Sequence, residues 1–158
     1  MKVSFDFDGT LEREDVQEYA KTLIKLGVEV WVVTTRYDSN HQHKWLKAYP
    51  EALWAKITSI TNGDPNAQLW AVVDKLGIPR YHVRFTCMEY KYKYLDGTKF
   101  IWHLDDNPEE FSQAKANNLR VPMVQVEAHN WREVCERLVK LKLNEIEANK
   151  TEENKDLT

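Results

Sequence analysis

The sequence predicts an α/β domain in which helices cover both faces of a mainly parallel sheet. Short apolar runs alternate along the chain with segments whose apolar residues recur at helical spacing. The run VEVWVVT at 28–34 is nearly continuous and β-branched, which is typical of a strand buried on both faces. Because strands and helices alternate, we expect a three-layer α/β/α sandwich. A length of 158 residues suits one such domain.

The first half of the chain is predicted to hold two clear strands and three helices. Apolar residues at helical spacing from Val16 to Ile24 indicate the first helix, and Gly27 ends it. Asp64-Pro65 indicates another helix start, because proline is favoured in the first turn. In order we expect a strand at 2–7, a helix at 13–26, a strand at 28–34, a helix at 39–49, a short strand or irregular segment at 56–60, and a helix at 64–76.

The second half continues the alternation. Asn107-Pro108 with Glu110 marks a helix start, and Asn130 with Glu133 resembles a capping box. The expected elements are strands at 80–85, 100–104 and 121–126, a short helix at 89–95, and helices at 107–118 and 131–142.

We expect one domain over residues 1–142, followed by an acidic, disordered tail over 143–158. The segment from 144 to 158 carries five acidic and two basic residues, which accounts for the net charge of −3. The body is therefore close to neutral, which argues against strong nonspecific binding of nucleic acid. No apolar run approaches a membrane span. Cys87 and Cys135 lie in no metal-ligand spacing, so we expect free thiols and a cytoplasmic protein.

Polar side chains follow several of the predicted strands. Asp6 and Asp8 close the first strand, and Thr34 closes the second. Asp105 and Asp106 close the strand FIWHL, and a lysine precedes that strand. Because the carboxyl ends of parallel strands meet at one edge of the sheet, these groups should lie close together.

Such a cluster has a coherent chemistry. Carboxylates repel one another unless a cation joins them, and oxygen ligands suit magnesium. One aspartate could attack a phosphoryl group while a second, two residues on, transfers protons. A threonine hydroxyl and the amides of a glycine-containing loop could bind the phosphoryl oxygens. The alternative for Asp6 and Asp8 is an acidic surface turn, since Asp-Gly is a common turn dipeptide.

Three segments resemble motifs of the haloacid dehalogenase superfamily, most of whose members are magnesium-dependent phosphatases. They are DFDGTL at 6–11, WVVTTR at 31–36 and HLDDNP at 103–108. The resemblance implies a Rossmann-like fold, with Asp6 as nucleophile and Asp8 as general acid/base. It also implies that Thr34 binds phosphate, and that Mg²⁺ is held by Asp6, the Asp8 carbonyl and Asp106, with Asp105 in support.

The remaining site assignments come from neighbouring positions. Lys91 is the favoured motif lysine because Leu95 follows four residues later, as expected for a short helix packed on the sheet, and Lys93 is the alternative. The other candidate phosphate-binding residues are Gly9, Thr10, Thr35 and Arg36.

The spacing between motifs bears on the substrate. Residues 11–29 and 92–104 are too few to hold a cap domain, so the chain resembles the capless members, which admit larger substrates. Trp45, Trp54 and Trp70 could stack on a nucleobase, although core packing is favoured for Trp45 and Trp70.

The leading hypothesis is a magnesium-dependent phosphatase that acts on a small phosphomonoester or nucleotide, with a nucleic-acid end as a further substrate class. The neutral body favours a small substrate, whereas the missing cap favours a large one. The alternatives are a non-catalytic magnesium- or phosphate-binding module and a phosphotransferase that uses the same site.

Overall fold

A computed structural model describes residues 1–41 and 64–155 of the chain. Its strands are β1 (Lys2–Phe5), β2 (Glu29–Thr34), β3 (Val83–Phe85), β4 (Phe100–Asp105) and β5 (Met123–Gln125). The α-helices that lie wholly within the described residues are α1 (Glu14–Lys25), α2 (Ala67–Leu76), α3 (Tyr92–Leu95), α4 (Pro108–Ala116) and α5 (Trp131–Lys155). A further helix begins at Ser39 and is described only as far as His41.

The five strands form one parallel sheet in the order β3-β2-β1-β4-β5. The central strand β1 pairs with β2 on one side and β4 on the other, with Phe5 opposite Val32 and Leu104. Helices flank the sheet, which confirms the predicted α/β class with a parallel sheet. All five strands therefore direct their carboxyl ends to the same edge.

The larger apolar core lies between one face of the sheet and the helices α1, α2 and α5. Val3 and Phe5 point into this core from β1, and Trp102 joins them from β4. The Trp102 ring meets Phe5 edge-on at 5.1 Å between centroids and stacks on Tyr19 at 6.1 Å. A smaller buried cluster contains Val33, Leu95, Phe100 and Val121.

Several predicted boundaries differ from the structure. The helix expected from Asp64 begins at Ala67, because the Asp64 carboxylate instead accepts a hydrogen bond from the Asn66 backbone N–H in the preceding turn. The strand expected at 80–85 is confined to Val83–Phe85, since Arg80–His82 form a 3₁₀ turn. The predicted segment at 56–60 and most of the predicted helix at 39–49 lie outside the described residues.

The prediction that the last helix ends near Lys142 is wrong, because α5 continues to Lys155. The segment assigned to a disordered tail thus forms the outer turns of this helix as far as it is described. It has no glycine or proline to stop the helix, and pairs such as Lys142–Glu145, 2.8 Å apart, support helical turns. Among the helices of the described part of the chain, none is long and apolar enough to cross a membrane.

Candidate active site

The segment that follows β1 carries the first two aspartates into the carboxyl edge of the sheet. The Asp6 backbone N–H donates to the Leu104 carbonyl at 2.8 Å, and the Asp6 side chain is buried. Gly9 has φ of 72°, a conformation that favours glycine. A Cβ on Gly9 would stand 2.7 Å from Cγ of Asp106 and collide with its carboxylate. Glycine therefore allows the first loop and the loop after β4 to meet.

Lys91 lies at the start of α3 and is almost completely buried. Its Nζ donates to Asp6 Oδ1 at 2.7 Å and to Asp105 Oδ2 at 2.6 Å. Its backbone N–H donates to Glu110 Oε2 at 2.9 Å, which ties the start of α3 to α4. Lys93 is half exposed and pairs with Glu89 at 3.3 Å. Of the two predicted alternatives, Lys91 is the lysine that reaches the carboxylates.

Burial and the charge of Lys91 have opposite effects on the pKa values of the carboxyl groups in this cluster. Burial raises the pKa of Asp6 to about 8, although the Lys91 charge lowers it. Burial also disfavours ionised Asp105, but the hydrogen bonds and charges of His103 and Lys91 outweigh it and hold the pKa of Asp105 well below its usual range. Burial disfavours charged Lys91 too, yet Asp6 and Asp105 raise the pKa of Lys91 overall. Lys91 is therefore an ammonium shared by two carboxyl groups.

The carboxyl groups of Asp6, Asp105 and Asp106 form an oxygen-rich cluster whose ligand atoms lie within 4.8 Å of one another. Burial and, to a smaller extent, the negative charge of Asp105 raise the pKa of Asp106. The space opposite Gly9 admits the Asp106 carboxylate. The donor set and its excess negative charge fit a hard divalent cation such as Mg²⁺.

Asp105 differs from the other two carboxylates in its contacts. Its Oδ2 accepts from Lys91 and lies 2.9 Å from His103 Nε2, and its Oδ1 accepts from the Asn107 backbone N–H at 3.0 Å. Both oxygens are therefore engaged by protein donors. This arrangement suits the supporting role predicted for Asp105, with Asp6 and Asp106 better placed to face a cation.

Arg36 contacts Asp8. Its guanidinium donates to both Asp8 oxygens, at 2.8 Å from Nε and 2.6 Å from Nη2. It also donates to the Pro65 carbonyl at 3.2 Å and lies 4.9 Å from the centroid of the Phe7 ring. The residue predicted to bind phosphate thus holds the predicted acid/base residue in a bidentate pair, and Asp8 stays half exposed.

The three threonines of the prediction lie on neighbouring loops. Thr34 is buried at the end of β2, where its Oγ1 accepts from the Arg36 backbone N–H at 3.3 Å. The Thr35 carbonyl accepts from the Met88 N–H at 2.7 Å, which joins the loops after β2 and β3. Thr10 is buried, and within the described residues its hydroxyl has no hydrogen-bond partner. The Thr10 hydroxyl is therefore a buried polar group whose hydrogen-bonding capacity is unused by the described residues.

Sequence reasoning missed three buried residues around the cluster: Ser4, His103 and Glu110. A signal was present for His103, because alternation along a strand places it on the same face as Asp105. Glu110 was taken as a helix-start signal, whereas its carboxylate receives the Lys91 N–H, and burial raises the pKa of Glu110.

A second group of potential ligands lies beside the site. Asp38, His41 and Cys87 place one oxygen, nitrogen and sulfur atom within 4.8 Å. Asp38 Oδ1 accepts from the His41 N–H at 2.9 Å, and Asp38 Oδ2 lies 2.6 Å from His41 Nδ1. Ordinary helix capping therefore accounts for two of the three residues.

The aromatic residues considered for base stacking divide between described and undescribed parts of the chain. Trp70 packs edge-on against Phe85 at 5.7 Å and borders the larger core, which agrees with the packing role favoured for it. Trp45 and Trp54 lie outside the described residues.

Comparisons with known proteins identified no relative of this chain. No protein-family model matches the chain, and neither a curated protein nor a solved structure matches it. The functional interpretation therefore rests on the residues of the chain and on the arrangement at the carboxyl edge of the sheet.

Proposed function

We propose that the protein is a magnesium-dependent phosphatase of the capless haloacid dehalogenase type, acting on a phosphomonoester. The observation that carries this proposal is the buried Lys91 ammonium, which is shared by Asp6 and Asp105 beside Asp106. A buried cation among several carboxylates at a sheet edge suits transfer of a dianionic phosphoryl group.

The first step assigns separate roles to the two aspartates of the first loop. An oxygen of the Asp6 carboxylate attacks phosphorus, and the bond from phosphorus to the ester oxygen breaks. Asp8, in its protonated form, gives its proton to the leaving oxygen. This transfer requires at least one Asp8 oxygen to leave the Arg36 pair, and the exposure of Asp8 permits that movement.

The second step reverses the proton transfer. The Asp8 carboxylate takes a proton from water as the water oxygen attacks phosphorus. The bond between phosphorus and the Asp6 oxygen breaks, so that phosphate leaves and the Asp6 carboxylate is regenerated. Lys91 neutralises Asp6 in this state, and the hydroxyls of Thr34 and Thr10 are candidates to bind phosphoryl oxygens.

The residues that would hold Mg²⁺ are Asp6, Asp106 and the backbone carbonyl of Asp8, with Asp105 in support. When bound, the ion would supply positive charge to the phosphoryl oxygens. Each carboxylate of this set comes from the carboxyl end of β1 or β4, and these strands are hydrogen-bonded neighbours.

The substrate class follows from what lies between the motifs. Residues 11–29 contain α1, and residues 92–104 contain α3 and most of β4, so these two described segments contribute no cap. A site that receives no cap from these two segments favours substrates that range from nucleotides to a nucleic-acid end. Mononucleotides compared with 5′- and 3′-phosphorylated oligomers separate these classes.

The test is hydrolysis of an aryl phosphate with and without Mg²⁺ by the wild type, Asp6→Asn and Asp8→Asn. We expect Asp6→Asn to lose at least about 1,000-fold in kcat and Asp8→Asn about 100-fold or more, because each variant removes one chemical role. The exposed Asp96→Asn is the matched control and should keep wild-type activity.

Three results would contradict the proposal. Turnover that survives Asp6→Asn excludes this residue as the nucleophile. Absence of magnesium-dependent turnover across a broad phosphate panel, with calorimetric Mg²⁺ binding retained, favours the binding-module alternative. Transfer of the phosphoryl group to an added alcohol in preference to water favours the phosphotransferase.

A further inference from the structure

A chain of hydrogen bonds runs behind the candidate site on the side of the sheet opposite the larger core. Ser4 Oγ lies 2.8 Å from His103 Nδ1, and His103 Nε2 lies 2.9 Å from Asp105 Oδ2. The same Asp105 oxygen accepts from Lys91, which also reaches Asp6. Ser4, His103 and Asp105 have no exposed surface at all. The chain therefore links a strand interior to the proposed nucleophile through residues that are almost completely buried.

The partners determine where the hydrogen of the His103 ring lies. An ionised carboxylate only accepts hydrogen bonds, so Nε2, which faces Asp105, carries the hydrogen. Ser4 Oγ faces the other ring nitrogen, so with the hydrogen on Nε2 the Nδ1 atom can accept a hydrogen bond from the Ser4 hydroxyl. One tautomer is thus set from both ends of the ring.

The register between β1 and β4 makes this contact possible. Lys2 lies opposite Phe100, but Ser4 lies opposite His103, so β4 contains one extra residue over this interval. In a regular pairing Ser4 would lie opposite Trp102, whose ring belongs to the larger core. The irregularity therefore places an imidazole beside Ser4 and aligns it with Asp105.

His103 limits the freedom of Asp105. The Asp105 Oδ2 atom receives donors from His103 and Lys91, while Oδ1 receives the Asn107 N–H. Without the imidazole, the carboxylate would lose one of its three donors, and Lys91 would lose a fixed acceptor. A shift of about 1 Å in a catalytic group is enough to slow a reaction strongly.

We propose that His103, oriented by Ser4, is a positioning residue that fixes Asp105 and, through it, the Lys91 ammonium against Asp6. The catalytic consequence rests on the proposed phosphatase function. The positioning itself is a property of the folded chain and is measurable without turnover.

Two substitutions at the same position separate positioning from packing. In His103→Gln the amide nitrogen can stand where Nε2 stood and donate to Asp105. In His103→Asn the shorter amide reaches only the Nδ1 position, so the contact with Ser4 remains available and the donor to Asp105 is lost.

In the activity arm, kcat for an aryl phosphate is expected to fall about 10- to 100-fold in His103→Asn. His103→Gln should stay within about 3-fold of the wild type, and KM should change little in either variant, because His103 is not in the phosphate-binding set. Ser4→Ala keeps the donor to Asp105 and should lose less kcat than His103→Asn. Equal losses in the Gln and Asn variants, both folded, would overturn positioning through Nε2.

The second experiment uses ¹⁵N NMR to determine which imidazole nitrogen carries hydrogen, and it does not depend on enzymatic activity. We expect hydrogen on Nε2 of His103 in the wild type. His82 provides the contrast in the same spectrum, because its Nδ1 lies 3.0 Å from the Val30 carbonyl and so carries hydrogen. A His103 ring without hydrogen on Nε2 would overturn the proposal.

The NMR resonance of the Lys91 ammonium then reports whether a change at His103 reaches Lys91. It should shift in His103→Asn and stay near its wild-type position in His103→Gln, and identical Lys91 signals in all three proteins would contradict the coupling. If the wild type shows the expected tautomer and coupling but no turnover, the phosphatase proposal fails and the positioning inference stands.

Discussion

At the scale of single residues, Lys91 has the most demanding environment of the site. Its side chain is 2% exposed, and its two carboxylate partners are 6% and 0% exposed. Moving these charges from water into the protein is costly, and the contacts between them offset that cost only while all are present. Removal of the ammonium would leave Asp6 and Asp105 buried without their shared cation.

We therefore expect Lys91→Met to lower the free energy of unfolding by about 3 to 5 kcal/mol, as for other buried ion pairs that lose one partner. The matched control is Lys93→Met, since Lys93 is half exposed and its pair with Glu89 should contribute less than about 1 kcal/mol. Denaturant unfolding at neutral pH measures both. Equal small losses in the two variants would mean that Lys91 does not compensate buried charge.

Sequence reasoning located residues whose position follows from topology. Asp6, Thr34 and Asp105 end strands, and parallel strands bring such ends to one edge whatever the side-chain details. It did not find the pairing of Arg36 with Asp8 or of Ser4 with His103. Those contacts depend on rotamers and on an irregular register, which the alternation of apolar residues does not specify.

At the scale of elements, the helix α5 combines a packed part with an exposed one. Trp131, Cys135 and Val139 are buried in the larger core, at spacings of four residues. Among residues 141–153, Ile146 is partly buried and all the others are exposed. Periodicity predicts the packed part well, whereas a charged segment without an apolar stripe can be either a tail or a solvated helix.

The two parts should respond differently to proline. Glu136→Pro interrupts the packed part and should cost about 3 kcal/mol or more in unfolding free energy. Glu147→Pro places the same change in the exposed part and should lower helix content in circular dichroism with less than about 1 kcal/mol of global cost, because that part opens separately. A large loss from Glu147→Pro would show that the outer turns contact the rest of the protein.

At the scale of the whole molecule, the buried His103 makes stability depend on pH. The pKa of folded His103 lies below its ordinary value of 6.5, so below about pH 6.5 the unfolded chain binds a proton that the folded protein does not. Stability is therefore lost as pH falls. One such proton contributes a slope approaching about 1.4 kcal/mol per pH unit.

The prediction concerns how the free energy of unfolding changes with pH in the wild type and in His103→Gln. Between pH 7 and pH 5 the free energy of unfolding of the wild type should fall relative to that of His103→Gln, which has no imidazole at this position. The comparison largely cancels the contributions of Asp6, Asp105 and the other carboxyl groups, which both proteins share. Parallel curves over this range would show that His103 binds its proton equally in the folded and unfolded states.

The course of α5 has a practical consequence for how the molecule can be handled. The helix begins after β5 and runs back across the sheet. Near the start of β4 it contributes to a cavity lined by Leu138, Leu141, Lys142 and Glu145 together with Lys99, Phe100 and Ile101. Ten further residues of helix would extend about 15 Å past that end of the sheet. A protein attached to a sensor surface or fused to a reporter through this helix would thus present its carboxylates to the bulk solution.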